Sequence, residues 1–527
     1  MRLSTALPSL LVLTSALLTA CQGAGSAPPP AESGDFSLLL TSSNVTVASG
    51  SSTSVNVTVA PSGGFTKSVA FSTAAKPAAL ATTFAPLNSS TTTTLTLDAS
   101  SLDAGTYDFF VKGTATVNGA SVEHTAPLKL VVTPKPGITV TGRVLNAFGV
   151  PLSGASVGLQ PNPASTTTDA NGNFTFANVK GTYSLVVQPS GSAISHEFVG
   201  LTRPDPKLML FGVEGGAPLQ AQATVSGTLS GATFPIPAGQ IAGVTFANAA
   251  NGRGSATLIA GSGANYNLTA TWTGSSATTG TLYALYGKLN PAVSTLFDSY
   301  SGFATRDVNL ANGVSSSGQN ITFQPLGAAQ NSSLSALITL PSGASLTSKR
   351  LFLSLSPKSF FLLGVDTSAN TTNTYRTPVV PGKTLGLVVD AKQGARTVSV
   401  QRVGLQPNEV VNLALPSAAA LSSPTNGRTD VGTNPNFSWT SVPPSSVSIF
   451  LLSGKRVAYT TASGYQPLDS AFLGKNTSYT WTVATVGPFS SMDDFTSGAW
   501  PNGYPQAGDA TPYVVTTSET FSFKTAP

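Results

Sequence analysis

Thr168-Asp169-Ala170-Asn171-Gly172-Asn173-Phe174-Thr175-Phe176 is the stretch that decides the fold. Asn-Gly favours a two-residue hairpin turn, because both residues accept positive φ at little cost. After it, apolar and polar residues alternate. Phe174 and Phe176 therefore fall on one face of a strand, with Asn173 and Thr175 on the other. Upstream, Val140-Thr141-Gly142-Arg143-Val144 alternates in the same way. Gly149-Val150-Pro151-Leu152-Ser153-Gly154-Ala155 reads as a turn leading into the strand Ser156-Val157-Gly158-Leu159. Downstream, Gly181 opens a further strand through Tyr183 and Leu185. Short strands and glycine-rich turns at this spacing describe an antiparallel sandwich.

The same pattern covers the rest of the chain. With 527 residues there is room for about three to five domains. Only 9% of residues are charged, yet 41% are hydrophobic, and the apolar residues alternate with Thr, Ser and Asn. That alternation favours strands over disorder, and Thr and Val are strand formers. No long segment carries a helical period. The expected fold is all-β, in tandem β-sandwich domains. The net charge of +5 is scattered, with Lys349-Arg350 and Lys455-Arg456 the only adjacent pairs. No basic stripe points to a nucleic-acid partner.

Residues 138–212 resemble the carboxypeptidase-regulatory-like (transthyretin-like) domain, a seven-stranded sandwich. The resemblance rests on the motifs quoted above. Residues 35–134 contain Asp103-Ala104-Gly105-Thr106-Tyr107-Asp108-Phe109, which resembles the tyrosine corner of immunoglobulin-like sandwiches. That implies a Tyr107 hydroxyl bonded to upstream backbone. It also implies an apolar plug, Phe109, where an antibody domain has its second cysteine. Residues 217–326 and 327–416 open on Val225 and on Leu334 to Leu340. They close on Val308 to Phe323 and on Val403 to Leu415, and this closing resembles that of transthyretin-like domains. They are read as β-sandwiches, diverged copies of the second domain. Residues 421–527 resemble a fibronectin type III module, through Pro435-Asn436-Phe437-Ser438-Trp439 and Tyr479-Thr480-Trp481.

The N-terminus reads as a signal. Arg2 precedes a largely apolar run from Leu10 to Leu18, and Leu18-Thr19-Ala20-Cys21 resembles a bacterial lipoprotein cleavage site. The resemblance implies that residues 1–20 are removed and that Cys21 carries diacylglycerol. Residues 21–34 form a Pro/Gly/Ser-rich tether. Cys21 is the one cysteine of the chain, so no intramolecular disulfide forms. Gln22 follows it where inner-membrane lipoproteins often carry Asp, which favours the outer membrane.

No catalytic, cofactor-binding or metal-ligating set is expected. The two histidines, His124 and His196, lie in different domains. Each has a glutamate beside it (Glu123, Glu197), but neighbours in a strand point to opposite faces. Both histidines are expected on solvated strand or loop. No nucleophile elbow, zinc helix or phosphate loop occurs. Asp169, Asn171 and Asn173 alternate as oxygen donors, but Gly172 stands fourth and Lys180 twelfth, which fails the EF-hand spacing and leaves a turn. The relatives of the second domain include appendages of metallocarboxypeptidases, but activity does not travel with an appendage.

One long connection runs between Val483 and Thr517. It holds Phe489, Asp493, Asp494, Phe495, Trp500, Tyr504, Asp509 and Tyr513. Loops longer than about 12–15 residues are usually functional or disordered. Asp493, Asp494, Trp500 and Tyr504 are the candidate ligand-binding residues, suited to sugar stacking and hydroxyl bonding. The alternative is that the aromatics fold back on the sandwich or pack on the fourth domain. A second aromatic group, Tyr283, Tyr286, Phe297, Tyr300 and Phe303, is read as core.

Two functions remain. One is a non-enzymatic, lipid-anchored protein of the cell envelope, acting as surface scaffold, spacer or adhesin. Its partners would be the membrane, through the diacylglycerol-cysteine, and cell-wall or surface polysaccharide or envelope proteins. The other is a carbohydrate-binding accessory lipoprotein using the long loop. If the fifth domain is the working end, it lies farthest along the chain from the anchor.

Overall fold

A computed structural model describes residues 34–212, 220–356, 359–440, 443–467, 472–498 and 512–527. Its regular elements are strands, apart from one 3₁₀ turn and one four-residue helix, Met492–Phe495. Among them, no helix is long and apolar enough to cross a membrane. The chain divides into two compact units, residues 1–136 and 137–527.

The first unit is one sandwich. A four-stranded sheet (Asp35–Leu40, Ser52–Ser62, Thr92–Asp98, Ala81–Ala85) faces a five-stranded one built on the long hairpin Gly105–Val117 and Ala120–Thr133. Alternate residues such as Val55, Val57, Leu95, Leu97, Val111 and Leu130 are buried between the sheets. The Tyr107 hydroxyl donates to the Asp103 carbonyl at 3.0 Å, as a tyrosine corner requires. Phe109 is buried in this core.

The second unit holds four modules. In the second module of the chain, the first strand, Ile138–Leu145, lies between the fourth, Asn173–Val179, and the seventh, Lys207–Met209. The seventh runs parallel to the first, with Arg143 opposite Lys207. The other sheet takes the order third, second, fifth, sixth. Gly142 is fitted to this arrangement: a Cβ there would meet the Phe174 ring at 2.2 Å. Gly172 holds the hairpin turn at φ +75°, against the Val144 carbonyl. Asp169 completes that turn by accepting from the amides of Asn171 and Asn173, both at 2.8 Å.

The same strand order recurs twice. The third module starts at Gln220–Ser230 and ends at Ile321–Thr322; the fourth starts at Asn331–Thr339 and ends at Val410–Ala414. In each, the first strand lies between the fourth and the seventh, the seventh is parallel to the first, and the other sheet runs third, second, fifth, sixth. The fifth module, Leu421–Ser423 to Phe521–Thr525, has a three-stranded sheet around Phe437–Trp439. Its core stacks Phe437, Phe450, Trp481 and Phe523.

These modules are not beads on a string. One fourteen-stranded sheet passes from the second module through the fifth into the fourth. Ser195–Leu201 of the second module pairs in parallel with Arg456–Thr460 of the fifth. On the other side Tyr513–Thr517 pairs with both Ser478–Gly487 and Arg396–Leu405 of the fourth. The third and fourth share a core in which Tyr283, Leu285 and Tyr300 join Leu334 to Leu415. The aromatic group read as core is mostly buried, with Tyr300 donating to the Arg376 carbonyl at 3.0 Å. The fifth module is the hub of these sheets, because two of its strands complete the sheets of its neighbours.

Candidate functional site

The charged and aromatic residues that could carry chemistry converge on the joint between the second and fifth modules. The expectation that His196 and its neighbour Glu197 are solvated is overturned: each is 1% exposed. The reason is the strand pairing above. Ser195–Leu201 would be a sheet edge in the second module alone, and Arg456–Thr460 covers it.

The joint has an ionic half and a neutral half. Glu197 Oε2 accepts from Arg456 Nη1 and from the Tyr465 hydroxyl. Arg456 also donates to that hydroxyl at 3.0 Å, and its guanidinium carbon lies 4.8 Å above the Phe472 ring. A carboxylate so buried is tolerable only because a cation and a hydroxyl satisfy it. Burial next to Glu197 pushes the Tyr465 phenol well above its usual range.

In the neutral half, the Tyr459 hydroxyl accepts from the Phe211 amide at 2.6 Å. His196 Nδ1 stands 3.3 Å from the same hydroxyl, within hydrogen-bond distance. The Tyr459 ring stacks on Phe198 at 4.3 Å. Burial, helped by the Arg456 charge, lowers the His196 pKa to about 4. The imidazole is therefore neutral at physiological pH.

The long connection supplies a second brace. Asp493 Oδ1 accepts from the amides of Thr202 and Arg203, at 2.8 and 3.1 Å, and Oδ2 accepts from the Thr202 hydroxyl. Arg203 Nη1 donates to the Asp493 carbonyl at 2.7 Å. Burial pushes the Asp493 carboxyl up, but the bonds from Thr202 and Arg203 outweigh it and hold it below the usual range. Asp494 Oδ2 accepts from Ser490, and the Asp494 amide donates to Ser491 Oγ, so this residue closes the short helix. Phe489, Met492 and Phe495 are buried in the core of the second module. Phe489 and Phe495 fold back onto the second module, while Tyr513 opens the strand that pairs with the fourth. Both candidate carboxylates are occupied in holding that fold. Trp500 and Tyr504 lie outside the described residues, as does Cys21.

Among the described residues no group of three or more His, Cys, Asp or Glu could hold a metal ion. His124 sits in the first unit, 2.6 Å from Asp35, far in sequence from any acid-base partner of the joint. Lys349, fully buried in the fourth module, is held by Asp366 Oδ2 at 3.1 Å and by the carbonyls of Ser368 and Asn370. It is a structural cation.

The sequence carried one overlooked signal for the joint. In a chain with few charges, a Glu beside His in an otherwise apolar strand and an adjacent Lys-Arg pair stand out. Their partnership across 259 residues was not readable.

Comparison with known proteins agrees with one module. The model of the carboxypeptidase regulatory-like domain matches residues 139–206. No curated protein matches the chain. Among solved structures, it is similar to the TIE protein of Bacillus anthracis, with 11% identity over 73% of this chain and 75% of that one, at a TM-score of 0.25. It is also similar to the major pilin SpaD of Corynebacterium diphtheriae (9% identity, 53% and 97% covered, TM-score 0.12). A third is the adhesin InvE of Yersinia pseudotuberculosis (12% identity, 53% and 58% covered, TM-score 0.14). At these TM-scores the likenesses carry no argument about activity.

Proposed function

We propose that this chain is a non-enzymatic protein of the bacterial cell envelope, anchored through a lipid on Cys21 and acting as a surface scaffold, spacer or adhesin. The observation that carries the reading is the use made of buried and half-buried polar side chains. Glu197, Arg456, His196, Asp493 and Lys349 each hold strands or modules together. A protein that places its scarce charges in joints is built to resist deformation. The recurrence of one strand order in three modules supports the same reading, since repetition extends a rigid body.

Fractionation of cells tests the anchor. The native protein is expected in the membrane fraction, radiolabelled by palmitate, and Cys21→Ala in the soluble fraction. A Cys21→Ala protein that stays on the membrane overturns the anchoring. The alternative, a sugar site on the long loop, is tested by a glycan array with the mature protein and its Trp500→Ala/Tyr504→Ala variant. Selective binding lost in the variant would replace the scaffold reading by the carbohydrate one.

A further inference from the structure

A cleft of about 1060 Å³ lies between the third and fourth modules. Two strand edges border it. Ser359–Asp366 is the last strand of the fourteen-stranded sheet and pairs on one side only, with Ser345–Ser356. Ser255–Leu258 is the last strand of the third module's larger sheet and pairs on one side only, with Gln240–Ala247. Ser359 to Val365 and Ser255 to Thr257 all line the cleft.

An edge strand presents unpaired amides and carbonyls. Proteins commonly blunt such edges with lysine, proline, bulges or a covering segment. The stretch from Ser359 to Val365 has no charge and no proline. Leu362 is 45% exposed. The pairing with Ser345–Ser356 is irregular at two places, opposite Leu362 to Gly364 and opposite Ser359 to Phe360.

The strand is held in place over the third module at three points. Ser359 Oγ donates to the Gly252 carbonyl at 2.9 Å. The Phe361 ring packs on Gly243, where a Cβ would come within 2.7 Å of it. At the far end the Val365 amide donates to the Thr295 carbonyl at 3.1 Å, and the Thr295 hydroxyl returns a bond to the Val365 carbonyl at 2.6 Å. Among the described residues, no backbone bond reaches Phe360 to Gly364 from outside its own sheet. Gly364 lies against Thr295 and Leu296, so the edge is fixed at its ends and free of outside backbone bonds from Phe360 to Leu363.

The chemistry of the walls narrows the occupant. Among the described residues, Arg253 is the one charged lining residue and no carboxylate lines the cleft. Its backbone is bonded to Thr271, and its exposed side chain has no partner among the described residues. The half-buried Phe148, Phe297 and Phe360 supply apolar surface, while Ser255, Thr257 and Thr273 supply hydroxyls.

We propose that this cleft receives an extended segment of a partner polypeptide, added as a strand to the Ser359–Val365 edge. Alternate apolar side chains of the segment enter the cleft, and an acidic side chain pairs with Arg253. Strand addition draws affinity from main-chain bonds and specificity from the pockets for alternate residues. A sugar would use the hydroxyls but leave the strand amides unpaired, so the open edge favours a peptide. The inference does not depend on the anchor at Cys21.

The test is selection of a displayed random library of about twelve-residue peptides on the whole mature protein. Enriched peptides are expected to alternate apolar residues and to carry Asp or Glu. Their binding should fall at least tenfold in Leu362→Lys, which charges the edge, and severalfold in Arg253→Glu. Hydrogen exchange of the native complex should show new protection at Phe360 to Gly364. No enrichment overturns the proposal, as does binding unchanged in Leu362→Lys, or protection confined to other strands. Circular dichroism and melting of Leu362→Lys, unchanged from the native protein, separate lost binding from lost folding. Arg253→Glu, which alters an exposed side chain, supplies the second variant if they change.

Discussion

Glu197→Ala is the sharpest probe of the joint. The substitution leaves the Arg456 guanidinium, whose side chain is 13% exposed, without its carboxylate, and leaves the buried Tyr465 hydroxyl without its acceptor. Breaking a buried ion pair from one side costs about 3–5 kcal/mol, because the remaining charge cannot be rehydrated. With a urea slope of about 3 kcal/mol/M, the unfolding midpoint falls by roughly 1–1.7 M. Tryptophan fluorescence is the suitable assay. All four tryptophans, at 272, 439, 481 and 500, lie in residues 137–527. The signal therefore reports the unit that contains the joint and is silent on the first sandwich. In Glu197→Ala/Arg456→Met no charge is stranded, so the double variant should be more stable than the sum of the single losses implies. A midpoint shift under about 0.3 M for Glu197→Ala, or strictly additive losses, would refute the argument that this pair braces the joint.

Further predictions follow from the same geometry. His196 has a folded pKa of about 4 against 6.5 for the free side chain. Its contribution is fully present above pH 6.5 and is lost as the pH falls toward 4, where the unfolded chain binds a proton that the folded one refuses; the loss is roughly 3 kcal/mol. His196→Phe should flatten the dependence of unfolding free energy on pH in that window, and an unchanged slope would assign it to other groups. Asp493→Ala removes the acceptor for Thr202 and Arg203, so amides near Met492 to Thr496 should exchange at least tenfold faster while the fifth-module core stays protected. Unchanged exchange would show that Phe489 and Phe495 alone hold the segment. Lys349→Met strands Asp366 beside Tyr375 and should cost about 3–5 kcal/mol in denaturant titration, with Lys349→Met/Asp366→Leu recovering most of it. A single variant as stable as the native protein would contradict the pairing.

The local grammar of the modules was legible residue by residue. Asn171-Gly172 forms its turn, Phe174 and Phe176 share a core face, Tyr107 bonds upstream, and Phe109 is buried in the first core. Each follows from strand periodicity or turn chemistry, which act over a few residues. The recurrent closing strands of the third and fourth modules were visible for the same reason, as short apolar alternations after a long gap. His196, Glu197 and Asp493 were misread or left open because their environments are made by residues that lie far away along the chain.

The sequence by itself therefore determined the class of the fold, the identity of the turns and the alternation that builds each sandwich. These depend on φ preferences and on side-chain period, and both are local. Only the tertiary structure decided that the last module is a hub, that Glu197 meets Arg456, and that the edge of Ser359–Asp366 stays open over Gly243. Those outcomes depend on which strand covers which edge. An edge carries the same backbone donors and acceptors whatever its sequence, so its partner is chosen by packing across the whole unit.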